Sequence, residues 1–152
     1  MNINIKKNNK DAVIPVFAHE TDSGFDLFTS EDTFVKANKK AIAKTGLTFE
    51  IPKGWGIQIK NKSGITMKGV PTSLGENADI TVYEGTVDMD YRGEVGIMIK
   101  NEEAFDILIP KHTKIAQGVL RKVYNCTFTE VEEINENTSR GANGYGSTGN
   151  TL

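Results

Sequence analysis

Cysteine is nearly absent. Cys126 stands alone, so no intramolecular disulfide framework can form. Histidine is almost as scarce, and Cys126 with His19 and His112 is too small a ligand set for a tetrahedral zinc site, which argues against zinc-dependent deaminase chemistry. No apolar run approaches the roughly 20 residues that cross a bilayer. The stretch Met1 to Lys10 is rich in Lys and Asn with no apolar core, so neither a membrane span nor a signal peptide is expected. Charge of one sign is missing as well: 18 basic against 20 acidic residues leave a net charge of -2, which cannot produce the positive field of a duplex nucleic-acid binder. Long amphipathic helical patterns are lacking too.

What remains is a chain of 152 residues, 38% hydrophobic and 25% charged, enough for one compact soluble domain. Its apolar residues recur with period two over short stretches. Leu47, Phe49 and Ile51 alternate with polar neighbours, as do Trp55, Ile57 and Ile59, and then Val95, Ile97 and Ile99. Further short runs lie at Ile3 to Ile5, Ala12 to Phe17, Phe34 to Val35, Ile107 to Ile109, Ile115 to Val123 and Phe128 to Val131. Many short strands separated by Gly, Pro, Asn or charged turns predict an all-β sandwich, barrel or jelly roll. One short helix is expected from Ser63 to before Gly69, with Ser63 as its cap.

Three segments carry chemistry. The start of that helix offers orphan N-H donors beside Ser63, either an anion site or simply a capped end. Glu84 to Lys100 concentrates acids in a predicted hairpin; Asp88 there is either a solvated turn residue or a general base on water. The tail, 135–152, is rich in Gly and Asn and cannot build a core, so residues 1–134 are expected to form the barrel and 135–152 a flexible Gly-rich arm. Yet the arm holds Arg140 and Tyr145 among glycines and the hydroxyls of Ser147 and Thr148, a set that suits base stacking and phosphate binding. Gly144 to Gly149 matches G-x-G-x-x-G, but with three residues left after it there is no helix for a dinucleotide fold.

Taken in order, five motifs resemble the trimeric dUTPase family: DSGFDL at Asp22 to Leu27, KSG at Lys62 to Gly64, GTVDMDYRGEV at Gly85 to Val95, KIAQ at Lys114 to Gln117, and RGANGYGSTG at Arg140 to Gly149. They span nearly the whole chain. The resemblance implies a β-barrel or jelly roll that hydrolyses dUTP to dUMP and pyrophosphate with Mg²⁺, as a homotrimer with shared active sites. It implies Asp88 as the base on the attacking water, with Ser63 and Gln117 on phosphate oxygens near the scissile bond. Lys62, Gly64, Arg140, Gly146, Ser147 and Thr148 would bind phosphates. Tyr91 would lie under the deoxyribose, the backbone of a Val82 to Val87 hairpin including Gly85 would pair with uracil, and Tyr145 would stack on it. Asp26 would contact the metal through water. The expected location is the cytoplasm, or the host-cell cytoplasm if the chain is viral.

Departures from the family pattern are specific. Lys62 stands where arginine is usual, a point charge replacing a bidentate fork; Lys114 also replaces arginine, at a position read as structural and given less weight. Tyr145 replaces phenylalanine and keeps the stacking face. The segment between Gly69 and Glu84 is longer than in compact members. Among rivals of the same fold, a dCTP deaminase would need a glutamate on the strand after the third motif, where this chain reads Val95-Gly96-Ile97-Met98-Ile99. A nucleotide-sensing protein that keeps the dUTP pocket and controls a regulatory partner through arm closure is the second functional reading. A purely structural barrel would share the five motifs only by coincidence.

Overall fold

The computed structural model describes residues 1–143. The expectation of an all-β chain is borne out. The strands are β1 (Asn4–Lys7), β2 (Phe25–Phe28), β3 (Thr33–Val35), β4 (Lys40–Lys44), β5 (Leu47–Glu50) and β6 (Trp55–Lys60); after the helix α1 (Ser63–Lys68) come β7 (Val70–Pro71), β8 (Asn77–Ala78), β9 (Ile80–Val82), β10 (Gly85–Val87), β11 (Gly96–Asn101), β12 (Ile107–Ile109) and β13 (Lys114–Lys122). All pairings are antiparallel. A four-stranded sheet runs β10-β6-β13-β2 and a three-stranded one β4-β11-β9, with two-stranded pairs β1-β5, β12-β3 and β7-β8 around them.

The period-two pattern sets the core. Leu47, Phe49, Ile51, Ile57, Ile59, Val95, Ile97 and Ile99 are all buried, each set presenting one face inward as the pleat requires. Phe25 packs edge-on against Phe17 and stacks on Phe49, closing the core over the start of β2. Gly69 ends α1 at φ 74°, where a Cβ would also meet Ala78 O at 2.6 Å; glycine is required there on both counts.

Several local expectations differ from the structure. The N-cap of α1 is Lys62, with no side-chain cap bond, and Ser63 is the first helical residue. Residues 12–17 form no strand, only the bridge of Val16 to Asp26, and residues 128–131 form none either. The third motif is no hairpin: β10 pairs with β6 while β11 pairs with β4 and β9, so the chain changes sheets between them. The sequence places the tight turn at Asp90-Tyr91-Arg92-Gly93, but it closes two residues earlier, Tyr91 N donating to Asp88 O. Nor do β9 and β10 pair with each other, because apolar alternation specifies faces and not partners.

Buried Asn101 fastens the barrel wall. Its Nδ2 donates to Val35 O at 3.2 Å and Phe105 O at 2.7 Å, and its Oδ1 accepts from Glu103 N at 2.9 Å. Asn101→Asp keeps the shape but removes both donors, leaving two carbonyls facing a carboxyl. A stability loss of about 2–4 kcal/mol is expected in urea unfolding; a loss within experimental error would show that the network contributes nothing.

Candidate active site

The middle of the four-stranded sheet is one row of residues. On β13, Gln117 opposes Asp26 of β2 on one side and Lys60 of β6 on the other. Lys60 in turn bonds Glu84 at 2.7 Å, just before β10. Two residues beyond Lys60 stands Lys62, followed by Ser63 and Gly64, both exposed at the start of α1. Register alone thus unites the first, second and fourth motifs.

Asp26 is 3% exposed, and its carboxylate is held between two ammonium groups. Lys62 Nζ donates to Oδ1, and Lys114 Nζ lies 2.8 Å from Oδ2. The latter is an ion pair whose angles fall short of an aligned hydrogen bond. Burial pushes the Asp26 carboxyl up, but the bonds and charges of Lys114 and Lys62 outweigh it and hold the group below its ordinary value. Lys114 reaches this face through a bulge. Regular pairing back from Gln117 would place Lys114 opposite Thr29 on the other face, whereas the register shift between Lys114 and Ala116 sets it opposite Phe28, over whose ring its ammonium lies at 5.9 Å.

Gln117 Nε2 donates to Asn61 O at 2.8 Å. Asn61 is itself fixed, its Oδ1 accepting from Lys62 N and its Nδ2 donating to Thr66 Oγ1. These bonds tie the fourth motif to the second.

Asp88 belongs to a second cluster. It lies exposed past the end of β10, about four residues or ~13 Å along the sheet from the row of Glu84 and Lys60. Beside it a groove of about 380 Å³ is lined by Ile42, Ile59, Gly85, Val87, Asp88 and Tyr91. Tyr91 is half-exposed, and its hydroxyl donates to Glu94 O at 3.0 Å.

Set against known proteins, residues 10–149 match the dUTPase family model. The deoxyuridine 5'-triphosphate nucleotidohydrolase of Nautilia profundicola is 40% identical over 98% of this chain and 99% of its own, and that of Clostridioides difficile 36% over 97% and 98%. The chain belongs to the dUTPase family. Among solved structures, the Staphylococcus bacteriophage 80alpha dUTPase with dUpNHpp superposes with a TM-score of 0.85 at 26% identity, covering 97% of this chain and 98% of that one. A mutant dUTPase from phage phi11 of S. aureus, described with a structural Mg(II) ion, shares the fold at 23% identity and a TM-score of 0.77, covering 88% of this chain and 98% of that one.

Within one chain of this family member, the expected site residues fall into the two clusters. Asp26, Lys62, Ser63, Gly64 and Gln117 are together; Gly85, Val87, Asp88 and Tyr91 line the groove. Val82 is buried in β9, paired with Ile99, and is not part of the groove lining. Arg140 is exposed, with Nε bonded to Asn143 O at 2.8 Å, while Tyr145, Gly146, Ser147 and Thr148 lie outside the described residues. Sequence reasoning underrated Lys114 and missed Asn61; the bulge that places one and the carbonyl contact that uses the other have no residue signature.

Among the described residues, no group of three or more acid, His or Cys side chains could cage a metal. Asp26 Oδ2, which faces the Lys114 ammonium without an aligned hydrogen bond, fits a different arrangement, in which its remaining lone pair would accept from water on a hydrated cation.

A carboxyl held below its ordinary value stabilises the fold above that value, and the contribution disappears as pH falls through the lowered one. Lys114→Met removes part of the depression, so the loss should set in at higher pH, with stability at neutral pH lower by about 1–3 kcal/mol. Thermal unfolding titrated from neutral pH into acid checks this; superimposable profiles would remove Lys114 from the cluster.

Proposed function

We infer that this chain hydrolyses dUTP to dUMP and pyrophosphate, and that its two clusters are halves of a site completed between subunits. The observation that carries the residue assignment is the β2-β13-β6 register, which gathers a buried acid, two lysines and a carboxamide beside an exposed serine and glycine. That is phosphate-binding chemistry anchored on a rigid sheet.

The reaction follows from the groups. Asp88 accepts a proton from water as the water oxygen bonds to the α-phosphorus. The bond from that phosphorus to the α,β-bridging oxygen breaks, and pyrophosphate leaves with its electron pair. Lys62, Ser63, Gly64 and Gln117 hold phosphate oxygens, so that most of the rate comes from positioning and charge stabilisation. Tyr91 backs the deoxyribose and excludes a 2'-hydroxyl, and the groove backbone at Gly85 and Val87 meets uracil, with Val82 supporting it from the core. Arg140 and the arm, with Tyr145, Gly146, Ser147 and Thr148, complete the phosphate and base contacts as 135–152 closes over the nucleotide.

Mg²⁺ would bind on the phosphates and, through water, on Asp26, supplying neutralisation of the triphosphate charge. A structural Mg(II) ion in the phi11 relative supports a divalent metal here.

A homotrimer is supported by what one chain leaves uncovered. Past β13, Tyr124 is 80% and Phe128 94% exposed, with Val131 and Ile134 exposed as well. Apolar side chains in such a run need a partner surface. The ~13 Å between Asp88 and the phosphate row is likewise resolved if a neighbour supplies the groove. A cytoplasmic location agrees with the lack, among the described residues, of any helix long and apolar enough to cross a membrane. The second reading, control of a protein partner through the same pocket, draws on phage relatives described as controlling transfer of virulence genes.

Purified protein should release pyrophosphate from dUTP but not from dCTP, UTP or dTTP, and EDTA should stop it; equal release from all four would end this reading. Asp88→Asn should lose about 10²- to 10⁴-fold in turnover while still binding dUTP, and unchanged turnover would remove Asp88 as base. Tyr91→Ala should narrow the gap between dUTP and UTP, whereas unaltered discrimination would place sugar selection elsewhere.

A further inference from the structure

Gly24 lies just before β2, two residues from Asp26. Its φ is not positive, so the backbone there would accept any residue. Space is the restriction. A Cβ on Gly24 would come within 2.6 Å of Gln117 Oε1, 3.3 Å of its Cδ and 3.4 Å of its Cβ, the three nearest atoms all belonging to that one side chain. Gln117 is therefore held at both ends of its carboxamide. Nε2 donates to Asn61 O, a carbonyl fixed by the start of α1, while Oε1 occupies the room that Gly24 leaves.

A carboxamide has two N-H donors. With one on Asn61, the other is available to a ligand, and its direction follows from the plane of the group. We propose that Gly24 is a positioning residue for the reaction: its missing side chain lets the Gln117 carboxamide lie where its second N-H meets a phosphate oxygen. The inference rests on the reading of Gln117 as a phosphate ligand. A Cβ at position 24 makes Oε1 give way by several tenths of an ångström, and because the carboxamide is rigid and planar, Nε2 turns with it and its second N-H is aimed elsewhere. The glycine of the first motif thus serves the glutamine of the fourth, 93 residues later in the chain.

A double-mutant cycle tests this in the full-length protein, with dUTP turnover and thermal unfolding measured for Gly24→Ala, Gln117→Ala and the double variant. Gly24→Ala should lower kcat/KM by about 10²-fold, mostly in kcat. The double variant should match Gln117→Ala, since the methyl group then has nothing to displace. Full activity in Gly24→Ala overturns the proposal, as does a further tenfold loss when Gly24→Ala is added to Gln117→Ala. If Gly24→Ala does not fold but the double variant does, the conflict with Gln117 is demonstrated and the proposal stands; if neither folds, the backbone requires the glycine and the proposal falls. A wild-type enzyme that hydrolyses dUTP, with Gln117→Ala fully active, would sink the reading of Gln117 and this inference together. Wild-type protein without dUTP hydrolysis would instead sink the functional proposal on which both depend.

Discussion

Everything at the site depends on the register of β13 between β2 and β6. Side chains alternate along a strand, so a slip of one residue would turn Gln117 to the opposite face and part it from both Asp26 and Asn61. The slip is prevented from the core. Ile115, Ala116 and Gly118 are buried, and Gly118 leaves room for the Phe25 ring, so neither direction of shift keeps the core filled. Packing and the proposed site share one constraint: the residues that cannot move to the surface are the ones that aim Asp26 and Gln117 to the other face.

Charge is arranged on that frame. A carboxylate as buried as Asp26 would be costly alone, and two ammonium groups from different elements compensate it. The cluster as a whole is positive by one charge. A net acidic protein therefore presents a local attraction for a triphosphate at the sheet row where the motifs meet. Lysine suits the arrangement in a way that arginine does not: a compact ammonium on a flexible stem can contact a carboxylate and still reorient toward phosphate, whereas a guanidinium fork fixes two bonds at once.

Much of this was legible beforehand, for identifiable reasons. Period-two alternation located Leu47 to Ile51, Trp55 to Ile59 and Val95 to Ile99 in the core, because burial of one sheet face is a local property of sequence. The five motifs named the family. Partner choice was not legible: β10 and β11 read as a hairpin because they flank a turn, yet they pair with β6 and β4, and only the tertiary fold decides that. Ser63 read as a helix cap because its residue type prefers that place, but the chain enters α1 with Lys62 extended and Ser63 already helical. The bulge that carries Lys114 to Asp26 was hidden for the same reason, since pairing across strands is set at a distance.

The longer-range consequence concerns division of labour. In one chain the proposed base, Asp88, and the proposed phosphate-binding row lie on the same sheet but at different levels, with β6 between them. No side-chain motion of an aspartate spans ~13 Å. Either the sheet deforms, which its buried Ile57 and Ile59 oppose, or a second chain brings its groove to the row. The exposed apolar run past β13 favours the second solution, because a segment with Tyr124 and Phe128 in water gains by binding wherever a neighbour's surface can cover it. On the proposed assignment assembly and chemistry are coupled: an association that buries the segment would also unite the base with the phosphates, and an isolated chain would fold its barrel and lack a complete site.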